Sequence, residues 1–497
     1  MGDASRDALG RYRLWDGVSL RSGVFVSRRP LAVTTLNESA VDVVSELETT
    51  AFTSPTAIAA ATGYDRSAVA RILDGLHQRG FLEWAPARDA AHRPPVSVVV
   101  TVRNDRANLQ VCLDALATLA YDEYEVVVVD DGSTDGTAAL ARSHSLADAG
   151  RLEYVSVGSA TDPLGIGASR NHGVEATSYD VIAFTDADCR PRETWLAELV
   201  PVLAAHDLVG GRIRPAGETP ADVYEGVNSS LDMGAYAARI RRDGQTPYLP
   251  TANLVGRREV FESVPFPDRN VAEDVDVCWR ALEDGYDVVY TPMGVVEHAY
   301  RTSIRSFASR RADYGSSEAL LARTYGHGDA VGLPIWLVLV ALSAVAAAIG
   351  GTTLLAGGVI GAAVVGYSTL AVVRTARRLR TAVETGAVVR SLLRSTLSTV
   401  YALSREVTRY YAIPVALLAV VLVPTSVGTA VALALSVVVA LPAAVEYAVH
   451  RPAVSPLRYG QYYLTDHLGY QLGVYRGAIG HRTLAHLSPV ARFRLRV

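Results

Sequence analysis

A chain of 497 residues is longer than one ordinary hydrophobic core supports, so two or three domains are expected. Its formal charge of −4 at pH 7 argues against a nucleic-acid binder, and all 47 basic residues are arginine. The three cysteines, Cys112, Cys189 and Cys278, are scattered and make neither a disulfide framework nor a zinc site, which favours a reduced, cytosol-facing compartment.

The N-terminal stretch MGDASRDALGRYRLWDG has no apolar segment and is not a signal peptide. Residues 1–93 begin with short β-rich runs at 23–27 and 31–35. In LNESAVDVVSELE, Asn37 can cap a helix whose apolar stripe is Ala40, Val43, Val44 and Leu47. SPTAIAAATGYDRSAVARILDGLHQRGFLEWA then reads as helix, glycine turn, helix and a strand at 81–84, a winged helix-turn-helix pattern. That pattern most often means DNA binding, but eleven arginines against eleven acidic residues leave this region neutral, whereas a DNA-binding face is basic. A purely structural packing domain fits the composition equally well. The strands, the LNESA helix start and LHQRGFLEW also resemble the PqqD-like domains, a resemblance that implies recognition of a leader or precursor peptide.

After the linker APARDAAHRPP, residues 96–330 alternate strand, helix and strand: VSVVVTV, ANLQVCLDALATL, YEVVVVDDGS. This predicts an α/β domain with a parallel sheet that binds ligands at the carboxyl ends of its strands. Thr101, Asp131 and Asp186 fall at those ends, the last within DVIAFTDADC. Paired carboxylates at a strand end suit a hard divalent cation, Mg2+ or Mn2+, that neutralises a diphosphate leaving group. Asp188 can ligate such an ion, while Asp186 reaches either the ribose or the metal through water. In VAEDVDVCWRALEDGY, Glu273 and Asp274 open a helix, where they either cap it or supply a general base for an acceptor hydroxyl. His298 is a further metal ligand or pyrophosphate contact, or a structural histidine. Arg301, Arg310 and Arg311 either pair with phosphate or form a basic run ahead of a membrane.

In order, VSVVVTVRND, VVVVDDGSTDGT, GASRNHGVEAT, FTDADC, YLPTANLVGRREVF and EDVDVCWRALEDGY resemble the family 2 glycosyltransferases of the GT-A (Rossmann-like) fold, over residues 96–315. The resemblance implies an inverting, metal-dependent transferase using a UDP-sugar. By position it makes Thr101, Arg103 and Asp131 nucleobase contacts and Arg170 a nucleotide contact. It makes Asp186 and Asp188 the metal motif, Asp274 the base, and Trp279 either an acceptor-sugar platform or a core residue. The sequence departs from the family at Thr101-Val102-Arg103-Asn104, where a proline and an aromatic are usual, and it lacks the tryptophan beside the arginine run of processive synthases.

From Ala330 to Val373 no charge occurs, enough for two transmembrane spans of about 20 residues. A second uncharged stretch, Tyr410 to Val445, is broken by Pro424 and Gly428 into two short spans or one span and a re-entrant piece. Between them a loop at 374–409 carries many arginines against Glu384 and Glu406, which places it and the transferase domain in the cytoplasm of a multi-pass cell-membrane protein. Residues 331–450 are thus a transmembrane α-helical region, and the tyrosine-rich arm 451–497 is expected to lie in the headgroup layer of the membrane lipid.

A PqqD-like front domain ahead of such a transferase, with SSLDMG, PYLPTANLVGRR, EDVDVCWR and EHAYRTS, resembles the mycofactocin-system glycosyltransferases over most of the chain. That implies transfer of a hexose, glucose by family, to a redox cofactor derived from a ribosomal peptide, as a β-linked oligosaccharide. Alternatives are a polysaccharide or lipid glycosyltransferase with a scaffolding front domain, and a membrane-tethered regulator with a degenerate transferase domain.

Overall fold

The computed structural model describes residues 10–21, 24–28, 31–326, 331–334, 366, 370, 373–374, 377, 385–422 and 425–496. The chain divides into two compact units, one of residues 1–16 and 38–300, the other of residues 17–37 and 301–497. Of the first 93 residues, 17–37 fall in the second unit and the others in the first, which ends at Tyr300.

In the first unit an eight-stranded sheet runs in the order Ala238–Arg239, Val288–Tyr290, Leu208–Gly210, Leu254–Arg257, Val181–Asp186, Val96–Val102, Tyr124–Asp131, Leu152–Val157. The last four are parallel; the three inner ones are almost wholly buried, as strands covered on both faces are, while the edge strand Leu152–Val157 is half-exposed. Thr101 sits opposite both Val129 and Asp186, so the expected carboxyl ends lie along one edge. Beneath, Phe184, Phe261 and Phe266 form an aromatic cluster, with Phe184 edge-on to the other two at 4.9 and 5.2 Å. A small second sheet, Cys189–Pro191, Val296–His298 and Ile213–Pro215, starts three residues beyond Asp186.

The helices Glu38–Ser45, Pro55–Thr62 and Arg66–Gln78 belong to the same unit, and the predicted stripe Ala40, Val43, Val44 and Leu47 is buried. Ser54 and Asp65 accept the first free N–H groups of their helices, as N-caps do. Gly10–Leu14 pairs antiparallel with Leu82–Pro86. From that ribbon the buried Trp84 meets His206 edge-on at 6.3 Å and lies under the guanidinium of Arg239 at 5.4 Å, joining the winged-helix elements to the transferase sheet.

The second unit contains a three-stranded antiparallel sheet, Val18–Arg21, Val24–Arg28 and Leu31–Thr35, whose last strand lies against helix Thr385–Tyr410. Its helical part comprises Ile304–Ser316, Glu318–Tyr325, Thr385–Tyr410, Ala412–Leu422, Ser426–His450 and Pro456–Gly480. Most of the predicted spans between Ala330 and Val373, and Pro424, lie outside the described residues; Val331–Pro334 is a strand parallel to Phe493–Arg496. The expected basic loop is a helix from Thr385 onward, because Val, Leu, Arg and Ser follow Gly386 with no further glycine or proline to break it. Among the described residues one helix, Val431–His450, is long and apolar enough to cross a membrane.

Helix Pro456–Gly480 packs against Ile304–Ser316 through glycines spaced four apart. A Cβ at Gly469, Gly473 or Gly477 would stand 3.0, 1.9 or 2.2 Å from the carbonyl oxygen of Ala308, Ala312 or Ser316. This close approach turns the tyrosines inward: Tyr459, Tyr462 and Tyr463, expected among headgroups, are buried, while Leu457, Leu464, Leu472 and Ile479 face outward. We expect Gly473→Val to lower the unfolding free energy in detergent by about 1–3 kcal/mol. Gly460→Ala, in the same helix with nothing near its Cβ position, should be neutral or slightly stabilising. Equal effects of the two substitutions would remove the glycine contact as the organising feature of this pair.

Candidate active site

The opposed carboxylates at the end of Tyr124–Asp131 are both paid for by hydrogen bonds. Asp130 is buried; one oxygen accepts the Ser133 N–H at 2.9 Å and the other the Tyr154 hydroxyl at 2.7 Å. Burial and that bond push the Tyr154 hydroxyl up to about 12. Asp131 accepts the backbone N–H groups of Leu164 and Gly165 at 2.8 and 2.9 Å, one on each oxygen. It thus fixes the start of helix Ile166–Ala176 as well as facing the strand edge. Asn104, at φ +51°, ties the adjacent loop down: its N–H donates to Ser133 Oγ and its Oδ1 accepts from Thr134 N–H. Arg103 is exposed, with a single long contact to the Ala160 carbonyl at 3.4 Å.

Arg170, on helix Ile166–Ala176, is 2 % exposed. Its guanidinium donates to Glu273 Oε1 at 2.7 Å and to Asp186 Oδ1 at 2.9 Å, and sits above the Phe266 ring at 5.6 Å. Burial opposes its charge, but Asp186 and Glu273 outweigh that and its pKa is raised. Arg170, expected from sequence as a nucleotide contact, is held between two carboxylates that helix and strand bring around it.

Glu273 and Asp274 open helix Glu273–Glu283 after Ala272, which holds the left-handed conformation at φ +59°. Such a conformation in a residue with a Cβ carries strain of order 1–3 kcal/mol and clusters at functional sites. Here it is braced, since Arg269 donates to the Ala272 carbonyl and pairs with Asp276 at 2.7 Å. The Asp274 carboxylate accepts a bond from the Val275 N–H at 2.8 Å. Burial, then the neighbouring charge of Glu273, pushes its carboxyl up to about 7.

Asp188 Oδ1 lies 3.5 Å from His298 Nε2, and both side chains are largely buried. Cys189, which sequence reasoning passed over, joins them: one ligand atom from each of Asp188, Cys189 and His298 lies within 4.8 Å of the others. The signal was there in DADC, but the cross-strand pairing of Cys189 with His298 is visible only in the sheet. His298 Nδ1 is buried with no hydrogen-bond partner, and the O, S and N donors fit a divalent cation. Trp279 takes a different role. Its indole N–H donates to the Pro247 carbonyl at 2.8 Å, Arg242 covers one face at 5.0 Å, and it packs against the main core, so its observed partners are structural.

The model for glycosyl transferase family group 2 matches residues 181–442, just over half of the chain. The chain belongs to this family. The model for glycosyl transferase family 2 matches residues 97–264, and that for the IclR helix-turn-helix domain residues 40–86. This glycosyltransferase is 35% identical over 246 residues to a pre-mycofactocin glycosyltransferase of Mycobacterium tuberculosis, covering 48% of this chain and 49% of the relative. It is 35% identical over 207 residues to glycosyltransferase AglE of Haloferax volcanii, covering 40% of this chain and 64% of the relative. The chain thus spans about half to two thirds of the length of the curated relatives it matches. A solved mannosyltransferase from Pyrobaculum calidifontis, in complex with GDP-Man and Mn2+, aligns with 62% of this chain and 88% of its own at 22% identity and a TM-score of 0.39. The fold is the mixed α/β, GT-A-like architecture of glycosyltransferases.

Replacing Arg170 with methionine strands two carboxylates, and breaking a buried pair this way costs about 3–5 kcal/mol. Arg103→Met, at an exposed position, should change stability by less than about 0.5 kcal/mol. Denaturant unfolding of the two variants beside the parent protein checks this, and comparable values would show that the Arg170 bridge is not structural.

Proposed function

We propose that this glycosyltransferase is an inverting enzyme that moves a hexose from a UDP-sugar to a peptide-derived redox cofactor of the mycofactocin type, at a membrane and from its cytoplasmic side. The carrying observation is the juxtaposition, through one buried arginine, of the strand-end carboxylate Asp186 with the Glu273–Asp274 helix start, a carboxylate pair with separate surroundings. The identity to the M. tuberculosis pre-mycofactocin glycosyltransferase supports the acceptor class, and the winged-helix elements at 38–86 support a PqqD-like role in presenting it. Glucose as the sugar and a β-linked oligosaccharide as the product rest on the mycofactocin resemblance.

On this reading Asp274 removes the proton of the acceptor hydroxyl as that oxygen bonds to the anomeric carbon. The bond from that carbon to the UDP oxygen breaks on the opposite face, so an α-linked donor leaves a β-glycoside. A carboxylate held near 7 is well matched to this duty, strong enough as a base yet ionised near neutrality. Thr101, Arg103 and Asp131 line the strand edge for the uridine, and Arg170 acts as a positioning residue that holds Asp186 and Glu273. Asp186, Asp188 and His298 would hold Mg2+ or Mn2+, which when bound supplies positive charge against the departing diphosphate.

A lipid-linked or polysaccharide acceptor is the second reading. It is favoured by the outward leucines and valines of helices Ala412–Leu422 and Ser426–His450, among them Leu417, Val421, Leu433 and Val437. Incubation of the detergent-extracted protein with UDP-glucose, Mn2+ and each acceptor class distinguishes them by product mass. A hexose ladder on the peptide-derived cofactor or its precursor supports the first reading; UDP release with lipid or oligosaccharide acceptors alone discards it and keeps the transferase.

Asp274→Asn is expected to lower turnover by about 10²–10⁴-fold with UDP binding retained; loss of UDP binding instead would move Asp274 into the donor site. Below about pH 7 the parent rate should fall tenfold per unit, since only the ionised carboxylate accepts a proton. The same shift sets stability. A carboxyl with a raised folded-state pKa favours the folded state at low pH and loses that advantage as pH rises toward 7, by about 1.4 kcal/mol per unit. Asp274→Asn should therefore melt higher than the parent protein at pH 8 and equal to it near pH 4. Asp188→Ala should weaken UDP binding in the presence of Mn2+ and leave metal-free binding unchanged; an unaltered dependence on Mn2+ would take Asp188 out of the ligand set.

A further inference from the structure

We propose that Asp188, Cys189 and His298 form a thiol-containing site for a thiophilic divalent cation of the zinc type, which competes there with Mg2+ or Mn2+. The inference rests on the proposed metal-binding role of Asp188 and His298 and adds the sulfur. Cys189 and His298 face each other directly in the antiparallel pair Cys189–Pro191 and Val296–His298. In such a pair opposed side chains leave the same face of the sheet with their Cβ atoms about 5 Å apart. Asp188 precedes the cysteine, its backbone carbonyl fixed by the Ala299 N–H at 2.8 Å, one residue beyond the histidine. The carboxylate oxygen is then 3.8 Å from Cys189 Sγ and 3.5 Å from His298 Nε2.

None of these separations is a strong hydrogen bond. The thiol and the imidazole both turn to the one Asp188 oxygen, through long contacts that leave the three ligand atoms around a common point, and the imidazole keeps a buried Nδ1 with no partner. Tyr300, stacked at a tilt 4.6 Å from the His298 ring and bonded to the Ser229 hydroxyl at 2.6 Å, holds that ring in place. A site for Mg2+ or Mn2+ alone needs oxygen, with at most an imidazole; a thiol adds nothing for those ions but adds greatly for Zn2+ or Cd2+. Cys112 and Cys278, the other two cysteines, are also buried, but among the described residues only Cys189 belongs to such a cluster. Binding expels the thiol proton to solvent and places sulfur, nitrogen and oxygen on the ion, leaving further positions for water or a diphosphate oxygen.

The experiment uses the full chain in detergent, stripped with chelator, and titrates it with Cd2+ while following the ultraviolet thiolate-to-metal charge-transfer band. One equivalent of Cd2+ should develop the band, Zn2+ should bleach it, and Mn2+ should do so only in large excess. In Cys189→Ser the band should vanish and Zn2+ affinity fall at least tenfold, while Cys112→Ser should leave both as in the parent. A parent protein that saturates with Cd2+ and shows no band overturns the proposal without need of any variant, as does a band that survives Cys189→Ser. Mn2+-dependent UDP binding is recorded in parallel. Its presence without the band leaves the transferase reading standing and removes the thiol site; its absence with the band keeps the thiol site and removes the donor reading.

Discussion

The buried guanidinium of Arg170 is the constraint on which the transferase site depends. It is shared between a carboxylate at the end of a parallel strand and another at the start of a helix 103 residues beyond the arginine itself. Removing these three charges from water is expensive, and only bonds of 2.7 and 2.9 Å on the two sides of one planar group offset it. The consequence is positional: one side chain ties the end of strand Val181–Asp186 to the start of the helix carrying Asp274. Burial of Asp274, and after it the negative charge of Glu273 beside it, makes its own proton hard to lose, with Arg170 opposing only in part.

The loops around that edge are stiffened in the same manner. Asp130 and Asp131 look like a repulsive pair, yet they spend their oxygens on Ser133, Tyr154, Leu164 and Gly165, four separate partners. Two adjacent negative charges are thereby turned into the fasteners of two loops. Strain is also localised there, at Asn104 and Ala272, both left-handed and both held by neighbouring hydrogen bonds.

The second unit relies on contact rather than charge for its shape. Glycines four residues apart let two helix backbones meet, and tyrosine hydroxyls from helices Thr385–Tyr410 and Pro456–Gly480 are gathered on carboxylates: Tyr401 and Tyr459 on Glu446, Tyr410 and Tyr470 on Glu318. Arg492 completes the Glu318 cluster. The outer faces remain apolar, an arrangement that suits lipid better than water.

Much of this was legible in the amino-acid order. The parallel strands, the carboxylates at their ends, the amphipathic helix at 38–45 and the uncharged segments followed from periodicity and from the position of charge, which are local properties. Partnership was not legible. That Arg170 lies between Asp186 and Glu273 shows only when a helix and a strand bring the two carboxylates to it, and that Cys189 faces His298 shows only in the cross-strand register. Tyrosines beside arginines read as a headgroup layer until glycines on the same helix draw them inside. Each of these depends on contacts between residues far apart in the chain, where the energy of a side chain is set by what surrounds it and no local pattern records those surroundings.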